Sequence, residues 1–314
     1  MTPCALLVNP EHTAHALPGH PERPERVDAI LDAIGDANLG LTPAPSPHAP
    51  ESLITSVHDP RYLVALDEAA AQGGGMILPD TYLRPGSMRA ARTAAGAVVE
   101  GVNQVLRGDA RHAFAVIRPC GHHAQRASAM GFCLINNVAV GVFAARQQGV
   151  QRIAVIDFDV HHGNGTQDTF YDDPDLLYCS THLYGKWLSQ TFFPGTGAAT
   201  ERGYGAGAGT TLNIPLPAGT GDAGFLYAYR TQVAEAVESF KPALILVSAG
   251  FDAHAADPLA GLEVSTDAYR QLAELITGWA DRFAGGRTVW ALEGGYDLDA
   301  LGQSAVACLR VLTA

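Results

Sequence analysis

The sequence predicts an α/β protein, a parallel sheet with helices on both faces. Three observations predict it. Short aliphatic and β-branched runs recur, several apolar almost throughout, as in strands buried on both faces. Helix-like segments stand between them. Polar clusters rich in His, Asp and Tyr follow four of the runs, where an open parallel sheet binds its ligands.

Strands are expected at 4–8 (CALLV), 113–118 (AFAVIR), 152–160 (RIAVIDFDV), 176–182 (LLYCSTH), 211–216 (TLNIPL), 243–252 (ALILVSAGFD) and 287–295 (RTVWALEGG). Residues 87–106 are Ala-rich with apolar residues at helical spacing, and Ser87 stands at the N-cap position. Helices at 222–239 and 265–283 begin on Asp222 and Ser265, both cap-like starts, and 297–313 forms a last helix. No linker, charge block or repeat interrupts the chain, so one domain is expected over residues 1–314.

Composition narrows the function. The chain has 314 residues, 47% of them hydrophobic, enough for a sizeable core. Its net charge of −12 gives no basic footprint, which argues against nucleic acid as a partner. Five cysteines, an odd number with no Cys-x-x-Cys pair, argue against a disulfide framework or a thiolate zinc knuckle and for a reducing compartment. The N-terminal MTPCALLVNPEH lacks the features of a signal peptide, and no apolar run approaches the roughly 20 residues that span a bilayer. A soluble cytoplasmic protein is expected; the oligomeric state stays open.

Chemistry gathers after the strands: PCGHHA, HHGNG, FDAHAAD and GGYD. Asp159 and His161 are two apart, so strand alternation points them the same way, with Asp157 one pleat deeper and His162 on the other face. Asp252 ends another buried run. One imidazole and two carboxylates with an open position suit catalytic zinc, and this hard donor set also suits Fe(II) or Co(II). Each residue alone reads as a strand-end turn former; three at equivalent strand ends read as a site. His122 and His123 add an imidazole suited to act as general base beside a metal site. Tyr296 follows paired glycines and is placed to donate to an oxyanion.

Together these segments resemble the histone deacetylase family, including its acetylpolyamine and bacterial deacetylase-like amidohydrolases. The matching pieces are HPERPERV (20–27), VHDPRYL (57–63), RPCGHHA (118–124), GFCLINNVAV (131–140), DFDVHHGNGTQDTF (157–170), FFPGTG (192–197), NIPLP (213–217), SAGFDAHAADPL (248–259) and LEGGYDL (292–298). The HHGNG and LEGGY forms resemble the class II branch. The resemblance implies a three-layer arginase-like α/β fold, an eight-stranded parallel sheet between helical layers. It implies zinc-dependent removal of acetyl or other acyl groups from acylated amines, acyl-lysine side chains or acetylpolyamines. Asp159, His161 and Asp252 would be the zinc ligands. His122 and His123 would be the catalytic pair, with His123 nearer the general base, Asp157 orienting His122 and Asn164 standing behind His123. Tyr296 would polarise the acyl carbonyl. Phe132 and Phe193 would line the substrate tunnel with Gly131, Leu259 and Gly294, and Arg26 would sit in an inner channel. A structural potassium ion would take the carbonyls of Asp157, Asp159 and His161, with Ser180.

Some positions depart from the family pattern. Cys120 replaces the second proline of RPPGHHA and is read as a buried, inert cysteine, with a reactive thiol beside the site as the alternative. Gly86 falls where a polar residue grips the substrate backbone, with Asp80 as a compensating group. Leu259 replaces a glutamate of polyamine-selective members, favouring acyl-lysine or uncharged amines; Glu11 and Glu22 are the N-terminal acids that could serve a polyamine, each otherwise a solvated loop charge. His12, His15 and His20 lack metal-ligand spacing, and the Gly-rich 203–209 is no phosphate loop. A catalytically quiet acyl-lysine reader is the reading of another class, and the presence of Tyr296 argues against it.

Overall fold

The structure, a computed structural model, describes residues 2–314. Among the described residues twelve strands occur in chain order. The first six are β1 (Thr2–Val8), β2 (Pro43–Pro45), β3 (Gly75–Met76), β4 (Tyr82–Leu83), β5 (Ala110–Val116) and β6 (Ile153–Asp157). The others are β7 (Leu176–Leu183), β8 (Lys186–Trp187), β9 (Gln190–Thr191), β10 (Thr211–Leu216), β11 (Leu244–Ala249) and β12 (Thr288–Leu292). Eight form one sheet in the order β10-β7-β6-β11-β12-β5-β1-β2, with every pair parallel. The rest form two small antiparallel hairpins, β3–β4 and β8–β9.

Helices α1 (Glu25–Asp36), α2 (Glu51–Val57), α3 (Pro60–Ala71), α4 (Ser87–Arg107) and α5 (Asn137–Gln147) are followed by α6 (Asn164–Phe170), α7 (Asp222–Ala228), α8 (Ala234–Phe240), α9 (Thr266–Phe283) and α10 (Leu298–Leu312). α1, α9 and α10 pack together, as do α2, α4 and α5. Both groups reach β1, through α10 and α4, which places them on opposite faces of the sheet. The central strands are buried along their whole length, as their nearly continuous apolar character requires. No helix among the described residues is long and apolar enough to cross a membrane.

Several element readings change. The strands expected to run to Val160, Asp252 and Gly295 stop at Asp157, Ala249 and Leu292, because the polar residues beyond them turn into the site. Ser87 is not the cap of α4. Gly86 holds that position, and the Ser87 hydroxyl accepts from the Arg84 amide and meets His15 instead. Asp222 does not cap α7; its carboxylate accepts from the Ser265 amide and hydroxyl, while Ser265 does cap α9. The expected helix 222–239 is interrupted by a π turn at Tyr229–Val233, which seats Tyr229 in the core against the Thr181 hydroxyl. Pro43–Pro45 forms an additional strand at the sheet edge, where a missing N–H costs no ladder bond.

Candidate active site

Four neighbouring strands, β6, β11, β12 and β5, carry the polar clusters at their carboxyl ends, and parallel pairing brings those ends together. Asp159, His161 and Asp252 meet there, with one donor atom from each lying within 4.8 Å of the others. His161 Nδ1 is 3.0 Å from Asp159 Oδ1 and 3.1 Å from Asp252 Oδ2. Backbone amides hold the carboxylates: Gly294 donates to Asp159 Oδ2 (2.7 Å) and Val160 to Asp252 Oδ1 (2.8 Å). Only glycine fits two adjoining positions. A Cβ on Gly250 would lie 2.1 Å from Asp159 Oδ2, and one on Gly294 would lie 2.0 Å from Asp252 Oδ2. Burial pushes the Asp252 carboxyl up to about 7, and the Asp159 charge adds to it. Two crowded carboxylates and an imidazole form a cradle whose charge calls for a cation, and this hard donor set fits a divalent metal.

Beside the cradle lie His122 and His123, both buried, their rings 4.0 Å apart. His123 Nδ1 is 2.8 Å from Asn164 Oδ1, and His122 Nδ1 is 3.0 Å from Asp157 Oδ2. In each pair Nδ1–H donates to the oxygen, which leaves Nε2 of His123 as a base. Environment splits the pair. Burial lowers His123 well below the ordinary histidine value, reinforced by charge on His122 and His161. Burial opposes charge on His122 as well, yet Asp157, Asp159 and Glu293 together raise it well above that value. Asp157 also accepts from the Tyr178 hydroxyl (3.0 Å).

Over the cradle opens a cavity of about 410 Å³. Its wall includes Gly131, Phe132, Phe193, Leu259, Gly294 and Tyr296, six positions singled out in the sequence. Gly131 and Phe132 both have positive φ, +53° and +70°, a bend that carries the Phe132 ring into the cavity wall. A Cβ on Gly131 would meet His123 at 2.4 Å, so only glycine lets that backbone approach the histidine. Phe132 stands edge-on to Tyr296 and Phe193 edge-on to His123. The Tyr296 amide donates to Asp257 Oδ2 (2.7 Å), which fixes the backbone from which its phenol projects.

Other expected residues fall outside the wall. Arg26 lies behind Tyr296, its guanidinium 4.9 Å from the ring centroid and bonded to the carbonyls of Gly295 and Glu293. Ser180 is in register with Asp157, and its hydroxyl meets His182 Nδ1 at 2.8 Å. His162 faces away, bonded to Thr196 and Gln167. Gly86 is not at the cavity: a Cβ there would strike Ala14, whereas Asp80 is on the wall. Glu22 is not a solvated loop charge. It is fully buried, and although burial raises its carboxyl, Arg118, His15 and Arg26 bring it down to about 2. Glu11 pairs with His48 and Thr93, and neither acid lines the cavity. His15 stacks on Tyr82, while His20 packs edge-on to Phe132 and so supports the wall.

Sequence reasoning missed Glu293, whose Oε2 accepts from the Gly121 and His122 amides and whose Oε1 accepts from Ser248. It pins the turn that carries the histidine pair, and its signal was an acid closing an apolar run. Also missed was the β8–β9 hairpin, which brings Trp187, Leu188, Gln190 and Thr191 to the cavity. Phe192, just after it, stacks on the His161 ring at 5.0 Å.

A family model described as Histone deacetylase domain matches residues 20–312. "Histone deacetylase 10, chloroplastic" of Oryza sativa subsp. japonica is 40% identical, the match covering 94% of this chain and 70% of the relative. "Histone deacetylase-like amidohydrolase" of Pseudomonas aeruginosa is 41% identical over 90% and 73%. "Probable deacetylase" of Methanothermobacter thermautotrophicus is 39% identical over 98% and 90%. Among solved structures, the HDA15 HD domain superposes with a TM-score of 0.92 at 34% identity, covering 100% of this chain and 90% of that one. With a family model matching nearly end to end and the arginase/deacetylase architecture beneath it, the chain belongs to the histone deacetylase family and is a hydrolase of the deacetylase type.

Proposed function

We propose that this deacetylase hydrolyses acyl-lysine side chains or similar acylated amines with a divalent metal, zinc foremost and Fe(II) or Co(II) as alternatives, held by Asp159, His161 and Asp252. The observation that carries this reading is the convergence of those donors beneath an aromatic-walled cavity, beside two histidines of opposite charge preference. When bound, the metal supplies Lewis-acid activation of water and of the acyl carbonyl. His123 Nε2 takes a proton from the attacking water, and Asn164 holds its tautomer. The Tyr296 hydroxyl donates to the oxyanion as the tetrahedral carbon forms. A protonated histidine then returns a proton to the departing amine. Asp157 steadies the His122 cation through Nδ1.

Phe132, Phe193 and Leu259 favour an apolar acyl-bearing chain over a polycation. Asp80 on the wall is placed to grip a substrate backbone in place of Gly86, and acetylpolyamine hydrolysis is the second reading. The presence of Tyr296 on the wall disfavours a quiet acyl-lysine reader. A structural potassium ion on the carbonyls of Asp157, Asp159 and His161, with Ser180, and a chain that forms one catalytic domain over residues 1–314 belong to the same proposal. The test is a substrate panel of acetyl-lysine peptides, longer acyl-lysines, acetylputrescine and acetylspermidine. It is run after chelation and after zinc is restored. The expected result is zinc-restored release of acetate or a longer acid, strongest on acyl-lysine; no metal-dependent turnover on any acylated amine overturns the proposal.

A further inference from the structure

Two cysteines meet behind the cavity wall. Cys120 Sγ and Cys133 Sγ are 3.3 Å apart, both buried, and Cys120 also lines the cavity. Both thiols point at the Gly131 carbonyl, at 3.3 Å from Cys133 and 3.7 Å from Cys120. Glu293 lies close enough to complete a three-donor cluster with them. Its oxygens already accept from Gly121, His122 and Ser248, which leaves the sulfurs as a dithiol rather than a metal cage. Cys4, Cys179 and Cys308 are free and buried in the main core, away from the cavity.

We propose that Cys120 and Cys133 form an oxidisable dithiol that opens on the active-site cavity and is closed to a disulfide by peroxide. The Cys120 sulfur attacks one peroxide oxygen, the O–O bond breaks, and a sulfenic acid and water result. The Cys133 sulfur then attacks the Cys120 sulfur and expels its hydroxyl as a second water. Two thiols lose two electrons and two protons, and one peroxide becomes two waters. The cavity admits an oxidant the size of hydrogen peroxide to Cys120, and Cys133 is already the nearest sulfur.

The bond has a consequence for the site. A disulfide needs sulfurs about 2.05 Å apart, so the pair must close by a little over 1 Å. Both sulfurs leave the Gly131 carbonyl, and that residue has no slack, being pressed against His123 on its other side. The strained bend at Gly131 and Phe132 moves with the sulfurs, and the wall shifts against the histidine pair. Displacements of this size cost up to about a hundredfold in turnover.

The experiment exposes the zinc-loaded full chain to hydrogen peroxide and reads it in two ways. Peptide mapping by mass spectrometry is expected to find Cys120 linked to Cys133, and dithiothreitol to remove the link. This arm does not depend on the proposed activity. Turnover of an acetyl-lysine peptide is expected to fall about tenfold or more and to recover with dithiothreitol. Cys120→Ser, scored against its own untreated activity, is expected to resist. In Cys133→Ser the link is lost and dimedone labels Cys120. Absence of the Cys120–Cys133 link in the oxidised chain overturns the dithiol. A link without loss of turnover, or equal loss in Cys120→Ser, overturns its hold on the cavity.

Discussion

At the scale of single residues, the proposed chemistry depends on groups that differ from their neighbours by one atom or one partner. Tyr296 projects its phenol at the cavity from a backbone fixed by Asp257. Tyr296→Phe keeps the ring and removes only the oxyanion donor. Turnover of an acetyl-lysine peptide is expected to fall about 100- to 1000-fold with KM little changed, as for loss of one such donor elsewhere. Unchanged kcat in steady-state kinetics would remove Tyr296 from the reaction. Asn164 acts one step back, through His123 Nδ1. Asn164→Ala should lower kcat by about 10- to 100-fold, the usual cost of losing a partner behind a reacting group. Asn164→Asp keeps an acceptor and should recover part of the loss; equal defects in both variants would refute the tautomer argument. Tyr296 is legible because it follows a buried run and paired glycines, whereas the role of Asn164 comes only from the family resemblance. The sequence hides Glu293, which reads as the end of β12 until the fold brings the amides of Gly121 and His122 against it.

Among the elements, those with a clear period or an unbroken apolar run are readable from sequence, and those held by tertiary contacts are not. β6, β11 and β12 are apolar along most of their length, β7 and β10 are short aliphatic runs broken by polar residues, and α4, α9 and α10 are long and amphipathic. α6 is spelled NGTQDTF, a polar string with no helical period, yet five of its residues are buried in tertiary contacts. The β8–β9 hairpin has two-residue strands, too short for any pattern to register. One glycine inside α4 shows how packing overrides propensity. Ala is the better helix former by about 1 kcal/mol. At Gly96, however, a Cβ would lie 1.9 Å from the Pro47 carbonyl oxygen, and that strand of chain is tied to α4 by the Ala49 amide on Arg92. The contact is backbone, so it cannot rotate away. Gly96→Ala is expected to destabilise by a net of about 2 kcal/mol. Equilibrium denaturation checks this, and a variant as stable as the parent would show that the Pro47 segment yields.

For the molecule as a whole, the sheet order and the layers follow from the alternating runs, while the polar residues buried among them set a dependence on pH that composition does not show. Histidines that face away from the metal cradle are held neutral by burial: His15 and His182 down to about 3, and His58, His112 and His162 down to about 4. His58 shows why, since Nδ1–H donates to the Gln125 carbonyl while Nε2 accepts from the Asn136 amide. A second proton would break the Asn136 bond. In the unfolded chain these groups titrate near 6.5. Between 6.5 and about 4 the unfolded state therefore binds more protons, and stability is lost as pH falls through this window. Glu293 opposes them, because burial raises it to about 7 and the folded state takes its proton first. The depressed histidines outnumber it, so the net effect is a loss of stability as pH falls through this window. Denaturant unfolding of the metal-loaded protein is expected to show a free energy that is falling by pH 6 and steepens toward pH 5. His112→Gln removes one titrating group outside the site and should make the slope shallower by about one proton. A midpoint constant from pH 7 to pH 5 would mean that these histidines titrate alike folded and unfolded.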